Sequence, residues 1–316
     1  MGFIQLSIAF GKIAIDAVRA MVMGLFSSRR TTLTYKTYVL LAVMRAYTKH
    51  VPVPQLQAMN PSTSKTYERF MHENSLPQET SVTSDGRGGY VLPATSAHFE
   101  LFLELVNEAE TRGSSLGVAV LEYGLTPDSQ YPAQLCQANN VFKFLLQELR
   151  IPSANASCPR ILVSESNVPV PAVVGPHLPP ATILLSPWVT FTTDSPSFRT
   201  NTAKDCLDVQ PLQEWSQLFL GRAGLDNYNV PLMAPSDWWA PLKDHKFCVI
   251  AGGNELFIDD IVEFVEKLKS QEIEVDFLNS PGEVHDSPVF DKIMGIPQGK
   301  AGEKFQSWVL HNVQDR

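Results

Sequence analysis

The first apolar run of the chain, residues 3–26 (FIQLSIAFGKIAIDAVRAMVMGLF), is long enough for a membrane span but is interrupted by Lys12, Asp16 and Arg19. These three fall at i, i+4 and i+7, so a helix places them on one face and leaves a broad apolar face opposite. The pattern predicts an amphipathic helix. Arg29 and Arg30 follow it directly, which suits either the cytoplasmic end of an anchor or a helix held near anionic lipid. The alternative is a helix folded against its own domain or a partner subunit. Leu6 stands where a myristoylation motif needs Ser or Thr, and the charges inside a long run argue against a cleaved signal peptide.

A second helix is predicted over 34–49, followed by a connection at 51–80 rich in Pro, Ser and Asn with a short helix at 64–73. The pattern then changes. Residues 97–112 have helical periodicity, 117–123 (GVAVLEY) read as a short buried strand, and a helix is expected over 132–149. Strands are expected at 160–163, 182–186, 247–251 and 274–278, with helices at 259–270 and 302–313; a polar, Trp-containing stretch fills the middle. Strands alternating with helices of this length imply an α/β fold, a mostly parallel sheet with helices on both faces. The expected organisation is a helical arm or cap over 1–80, associated with a membrane surface through 3–26, and an α/β domain over 81–316. Functional groups in such a sheet sit on loops at the carboxyl ends of strands.

Composition narrows the partners. Among 316 residues, 25 Lys+Arg against 33 Asp+Glu give a net charge of −8, and no basic stripe is present, so nucleic acid is excluded as an expectation. Cys136, Cys158, Cys206 and Cys248 are far apart and form no C-x-x-C pair, which points away from a zinc site or redox dithiol and toward a reducing, intracellular setting, either cytoplasm or the face of an internal membrane. Asn155-Ala156-Ser157 is a formal glycosylation triplet without a secretory context. No cofactor and no metal are expected.

The chemistry lies at the strand ends. After the strand closing at Ala251 comes Gly252-Gly253-Asn254-Glu255, and after the strand closing at Leu278 comes Pro281-Gly282-Glu283-Val284-His285-Asp286, so an acid and a histidine occupy consecutive strand-end loops 30 residues apart. Upstream, Ile161-Leu162-Val163 runs into Ser164-Glu165-Ser166-Asn167. The chain order is serine, acid, histidine, a triad in outline. The remaining histidines have no partner spacing and read as surface or cap residues. Trp188, Trp238 and Trp239 read as core, and Asp259-Asp260 as the start of a helix.

At these residues the chain resembles the hormone-sensitive-lipase-like branch of the α/β-hydrolases, particularly its fungal members. The matching segments are Gly88-Gly89-Tyr90-Val91-Leu92-Pro93, Tyr123-Gly124-Leu125-Thr126-Pro127 with Tyr131-Pro132-Ala133-Gln134, Leu184-Leu185-Ser186-Pro187-Trp188-Val189, the Trp238/Trp239 region, Glu255 with Asp259-Asp260, and 281–286, collinear over about 86–291. The resemblance implies an α/β-hydrolase fold and assigns Ser166 as nucleophile, Glu255 as triad acid from its spacing to Asp259, His285 as base, and the N–H groups of Gly88, Gly89 and Asn167 as oxyanion donors. Two motifs depart from the family. The His-Gly-Gly-Gly loop reads Gly86-Arg87-Gly88-Gly89, and the G-x-S-x-G elbow reads Ser164-Glu165-Ser166-Asn167-Val168 followed by Pro169 and Pro171. The strand before the first motif and much of the helix after the second are missing, so the fold is expected to be truncated, with weakened pairing in its first half.

The implied function is esterase/lipase-type hydrolysis of a small or hydrophobic carboxylic ester. The alternatives are reuse of the fold in a fungal biosynthetic pathway for proton-transfer or cyclisation chemistry on a hydrophobic metabolite, and an inactive paralogue that binds a ligand. An incorrectly spliced reading frame would remove the same two blocks, and comparing transcript with genome separates that from divergence.

Overall fold

The structure is a computed structural model that describes residues 2–26, 33–80, 91–147, 161–164 and 181–314. Four helices come first: α1 (Gly2–Phe26), α2 (Tyr35–His50), α3 (Val53–Met59) and α4 (Thr63–Glu73). They are followed by α5 (Ser96–Thr111), α6 (Ala133–Gln147), β1 (Ile161–Ser164), β2 (Ala181–Leu185), α7 (Pro196–Thr200) and α8 (Val209–Leu220). Two 3₁₀ turns, Pro231–Met233 and Ser236–Leu242, lead into β3 (Lys246–Gly252), α9 (Ile258–Lys269), β4 (Glu274–Ser280), α10 (Ser287–Met294) and α11 (Lys300–Gln314).

The strands form one parallel sheet in the order β1-β2-β3-β4. β3 is the clearest case of a strand covered on both faces, because every residue from Phe247 to Gly252 is buried. Its side chains alternate between two cores. Phe247, Val249 and Ala251 pack with Ile261, Phe264, Val265 and Leu268 of α9. Cys248 and Ile250 pack with Leu101 and Leu105 of α5 and Phe305 and Val309 of α11. The expected layering, helices on both faces of a parallel sheet, is what these alternating contacts produce.

α1 and α2 form an antiparallel helix pair in which α1 turns small residues inward. Ala9, Ala20 and Gly24 are buried, and a Cβ on Gly24 would lie 3.1 Å from the rings of Tyr35 and Tyr38, so the missing side chain allows α2 to approach closely. Tyr35 Oη donates to Met21 O at 3.0 Å, and Asp16 Oδ2 meets His50 Nε2 at 2.8 Å. Leu41 of α2 is part of the core beneath the sheet, and polar contacts also tie α2 to the rest of the chain. Lys49 Nζ bonds Asp208 Oδ2 at 3.1 Å, and Arg45 Nη1 donates to the carbonyl of Asp205. Among the described residues no helix is long and apolar enough to cross a membrane.

Three expectations are corrected. Residues 117–123 are not a strand: they are irregular, with Val118 and Val120 each 42% exposed, and among the described residues no strand pairs with them. The middle stretch is not merely polar, since it holds α7 and α8; α8 is capped by Asp208, which accepts from Gln210 N at 3.0 Å, and buries Leu212, Trp215 and Phe219. His245 is a core residue, buried at the start of β3 with Nε2 2.8 Å from Thr182 Oγ1. The readings of Trp239 as core and of Asp259-Asp260 as the start of a helix hold. Trp239 is buried, Asp259 Oδ2 accepts from Ser197 N at 2.7 Å, and Asp260 accepts from Ser195 Oγ, so the Asp pair fastens the start of α9 to α7.

Burial lowers the His245 pKa to about 4, so the folded state resists its protonation while the unfolded chain takes it up near 6.5. The stability tied to neutral His245 is therefore complete above the unfolded value and is lost as pH falls toward the folded one. At pH 5 the loss amounts to about 2 kcal/mol. Urea melts of wild type and His245→Gln at pH 7 and pH 5 check this: the wild-type advantage should shrink by that amount on acidification, and an unchanged difference would refute it.

Candidate functional site

The site grows out of two neighbouring strand ends. Gly252 and Ser280 are register partners at the carboxyl edge, so the loops after β3 and β4 leave the sheet together. Gly252 is required there, because a Cβ would sit 2.5 Å from Val284 O and 2.6 Å from Glu283 O. The loops are laced by Gly253 N to Ser280 O (2.7 Å), Asn254 N to Glu283 O (2.8 Å) and Asn254 Nδ2 to Gly282 O (2.9 Å). Asn254 is thus a loop fastener, and Glu255, the next residue, faces the histidine.

Glu255 is 0% exposed, with Oε2 3.4 Å from His285 Nδ1. That separation is an ion-pair contact, longer than a charge-assisted hydrogen bond of about 2.8 Å. Burial pushes the Glu255 carboxyl up to about 7, while His285 and the Ser186 hydroxyl pull the other way. The other imidazole nitrogen is also engaged: His285 Nε2 lies 3.2 Å from Asp286 Oδ2. Burial disfavours the imidazolium, but Asp286 and Glu255 override it and hold the His285 pKa well above its ordinary value. His285 is thus held between two carboxyl groups, one on each ring nitrogen.

Two left-handed residues shape this clamp. Asp286 (φ 50°) turns the chain sharply after the histidine, and Ser186 (φ 41°) does the same just after β2. They meet where Asp286 N donates to Ser186 Oγ at 3.0 Å, and Ser186 N donates to Ile250 O at 2.8 Å. Ser186 therefore connects three strand ends, touching the acid and the turn that carries the base.

Asp205 holds the arrangement from beneath. It is 0% exposed, and its carboxylate accepts from Cys206 N (2.7 Å) and His285 N (3.1 Å) on one oxygen and from Leu256 N (2.7 Å) on the other. One side chain thereby joins the acid loop to the histidine loop. Cys206, whose thiol is kept protonated chiefly by burial and then by Asp205, has Sγ 3.8 Å from His285 O. On the other side Phe257 meets the His285 ring edge-on at 5.3 Å and stacks on Trp188 at 5.5 Å.

Of the residues expected to form the site, the structure brings Glu255 and His285 together. Ser166, Asn167, Gly88 and Gly89 lie outside the described residues, as do Cys158, His177 and the Asn155 triplet; β1, which precedes Ser166, ends at Ser164 opposite Leu184. Asp286, Ser186 and Asp205 were not legible as site residues. Asp286 and Ser186 sit inside recognisable segments, but only the left-handed turns reveal what they touch. Asp205 has no spacing signal at all. Among the described residues no group of three or more His, Cys, Asp or Glu side chains is placed to hold a metal ion.

Residues 161–288 match a protein family described as alpha/beta hydrolase fold. No curated protein matches the chain by sequence. Among solved structures, a variant of the esterase rPPE superposes with a TM-score of 0.63 at 16% identity, covering 90% of this chain and 98% of that one. An esterase from the bacterial hormone-sensitive lipase family gives 0.60 at 18% identity, covering 89% and 99%. Carboxyl esterase 2 from the mycorrhizal fungus Tuber melanosporum gives 0.59 at 16% identity, covering 72% and 77%. The parallel sheet, the order of its strand-end loops and these matches together make the chain an α/β-hydrolase-fold protein.

Proposed function

We propose that the protein is a serine-type carboxylic-ester hydrolase of the hormone-sensitive-lipase-like kind, acting on a small or hydrophobic ester. The observation that carries this reading is the buried Glu255 carboxylate against His285 Nδ1 on consecutive loops at the carboxyl edge of the sheet. In this reading Ser166 Oγ attacks the acyl carbon, His285 takes the hydroxyl proton on Nε2 and passes it to the leaving alcohol, and Glu255 orients the imidazole. The N–H groups of Gly88, Gly89 and Asn167 receive the oxyanion. Water then repeats the attack and releases the acid.

The contact between Nε2 and Asp286 sets a condition on this chemistry, because the nitrogen must be neutral and unoccupied to accept a proton. That same contact favours a second reading, in which the fold serves proton-transfer chemistry with His285 and no acyl-enzyme forms. Hydrolysis of p-nitrophenyl butyrate, with Ser166→Ala and His285→Ala as controls, separates them. The hydrolase reading expects fluorophosphonate labelling of wild type and a loss of at least about a hundredfold in both variants. Equal rates in wild type and Ser166→Ala, without labelling, would overturn it.

A further inference from the structure

The structure assigns α1 to a membrane surface: we propose that its outward apolar face lies in the interface of an anionic lipid bilayer, parallel to the membrane plane. The helix is apolar nearly all round, and the packing on α2 decides which side is left over. Ala9, Ala20 and Gly24 are covered, whereas Ile4, Ile8, Ile15, Val18, Val22 and Leu25 are each between 52% and 70% exposed. The inward face is completed by Ala9, Ala20 and Gly24 with Leu6 and Ile13 against the core, and a second stripe of large aliphatic residues is left facing outward.

The chemistry of the outward surface selects the occupant. Phe10 and Met21 flank the stripe on one side and Phe26 extends it at the end, so the exposed apolar arc spans about 160° of the helix with no charged residue in it. That is much wider than the narrow seam through which a second helix packs, and it suits a continuous apolar medium. The ionisable residues on the exposed flank are Lys12 and Arg19, both cations, whereas the acid of this helix, Asp16, is turned inward onto His50. A second copy packed antiparallel on the stripe would bring these cations toward one another. Lipid headgroups carrying negative charge complement them, although the whole chain is at −8, so the attraction is local to this face. Lys12 and Arg19, two of the three charges that interrupt the apolar run of α1, are the ones that hold it at the surface.

Flotation of the full chain with two vesicle preparations tests this. One is phosphatidylcholine alone and the other contains about 30 mol% phosphatidylserine. Wild type should bind the anionic vesicles at least about tenfold better. The double variant Lys12→Glu/Arg19→Glu should lose that preference. Ile15→Glu/Val22→Glu should abolish binding to both vesicles while leaving the circular dichroism spectrum and melting midpoint unchanged, since these side chains are 68% and 52% exposed. Wild type remaining unbound to both preparations would overturn the proposal. So would a concentration-dependent dimer, broken by Ile15→Glu/Val22→Glu, that ignores lipid. None of these outcomes depends on ester hydrolysis.

Discussion

Asp286→Asn is expected to shift the pH dependence of ester hydrolysis downward and to raise the rate at pH 7. His285 acts as a base only when neutral, and the carboxylates on its two nitrogens keep it protonated to well above its ordinary range. Wild-type activity should therefore rise with pH through that elevated pKa. Removing the Asp286 charge leaves only Glu255 supporting the cation, so the neutral form is reached at lower pH, and each unit is worth a factor of ten while the histidine is mostly protonated. Asparagine is the informative replacement. It tolerates the left-handed backbone at φ 50°, and the bond to Ser186 uses the backbone N–H of residue 286, which the substitution retains. The same linkage acts on folding. A raised histidine pKa stabilises the folded state fully below the unfolded value near 6.5, and this contribution is lost as pH rises through the folded pKa. Wild type should lose stability on alkaline titration more than Asp286→Asn does. An imidazole titration followed by NMR reads the shift without relying on turnover, and identical His285 titration curves in the two proteins would refute the clamp.

The sequence carries the layering of this fold more readily than its site. The apolar runs of β2 and β3 and the periodicity of α5, α9 and α11 are strong because each element buries a continuous face, and their order places Glu255 and His285 on adjacent loops. Residues 117–123 show why pattern alone can mislead: a β-branched run becomes a strand only when a neighbour accepts its hydrogen bonds. In α8 the signal is present but diluted. Asp208 caps it, and Leu212, Trp215 and Phe219 share a face, while the glutamines between them make the stretch look polar. For α1 the periodicity correctly predicts a helix with a charged flank, but an almost wholly apolar helix does not disclose which side its neighbour covers. Small residues at 9, 20 and 24 settle that through packing. The electrostatics of His285 were hidden for a related reason. Asp286 adjoins it in sequence, yet neighbouring side chains ordinarily diverge, and only the left-handed turn brings the carboxylate back to Nε2.

Asp205 is the residue whose replacement should damage the site most, although no reacting atom touches it. Three backbone N–H groups converge on its buried carboxylate, one from the residue after Glu255 and one from His285 itself. Asp205→Ala would strand all three at a cost of about 1–3 kcal/mol each, a sum that rivals the whole stability of an ordinary domain. This variant is expected to melt far below wild type or to fail to fold, which reports structure alone. Asp205→Asn separates positioning from folding. It fills the same volume and keeps one acceptor oxygen, but presents an NH₂ group where the other oxygen received an N–H. If the remaining oxygen serves Cys206 and His285, the Leu256 N–H is lost and the acid loop loosens from the histidine loop; the opposite rotamer frees the histidine loop instead. Either way the contact between Glu255 and His285, already 3.4 Å, lengthens. A displacement of about 1 Å at a reacting group costs on the order of a hundredfold, so kcat should fall by that factor with KM little changed and the fold retained by circular dichroism. The His285 pKa should fall as well, since weaker contact with Glu255 removes support from the imidazolium. Wild-type kcat and an unmoved His285 titration in a folded Asp205→Asn protein would show that the two loops hold their places without it.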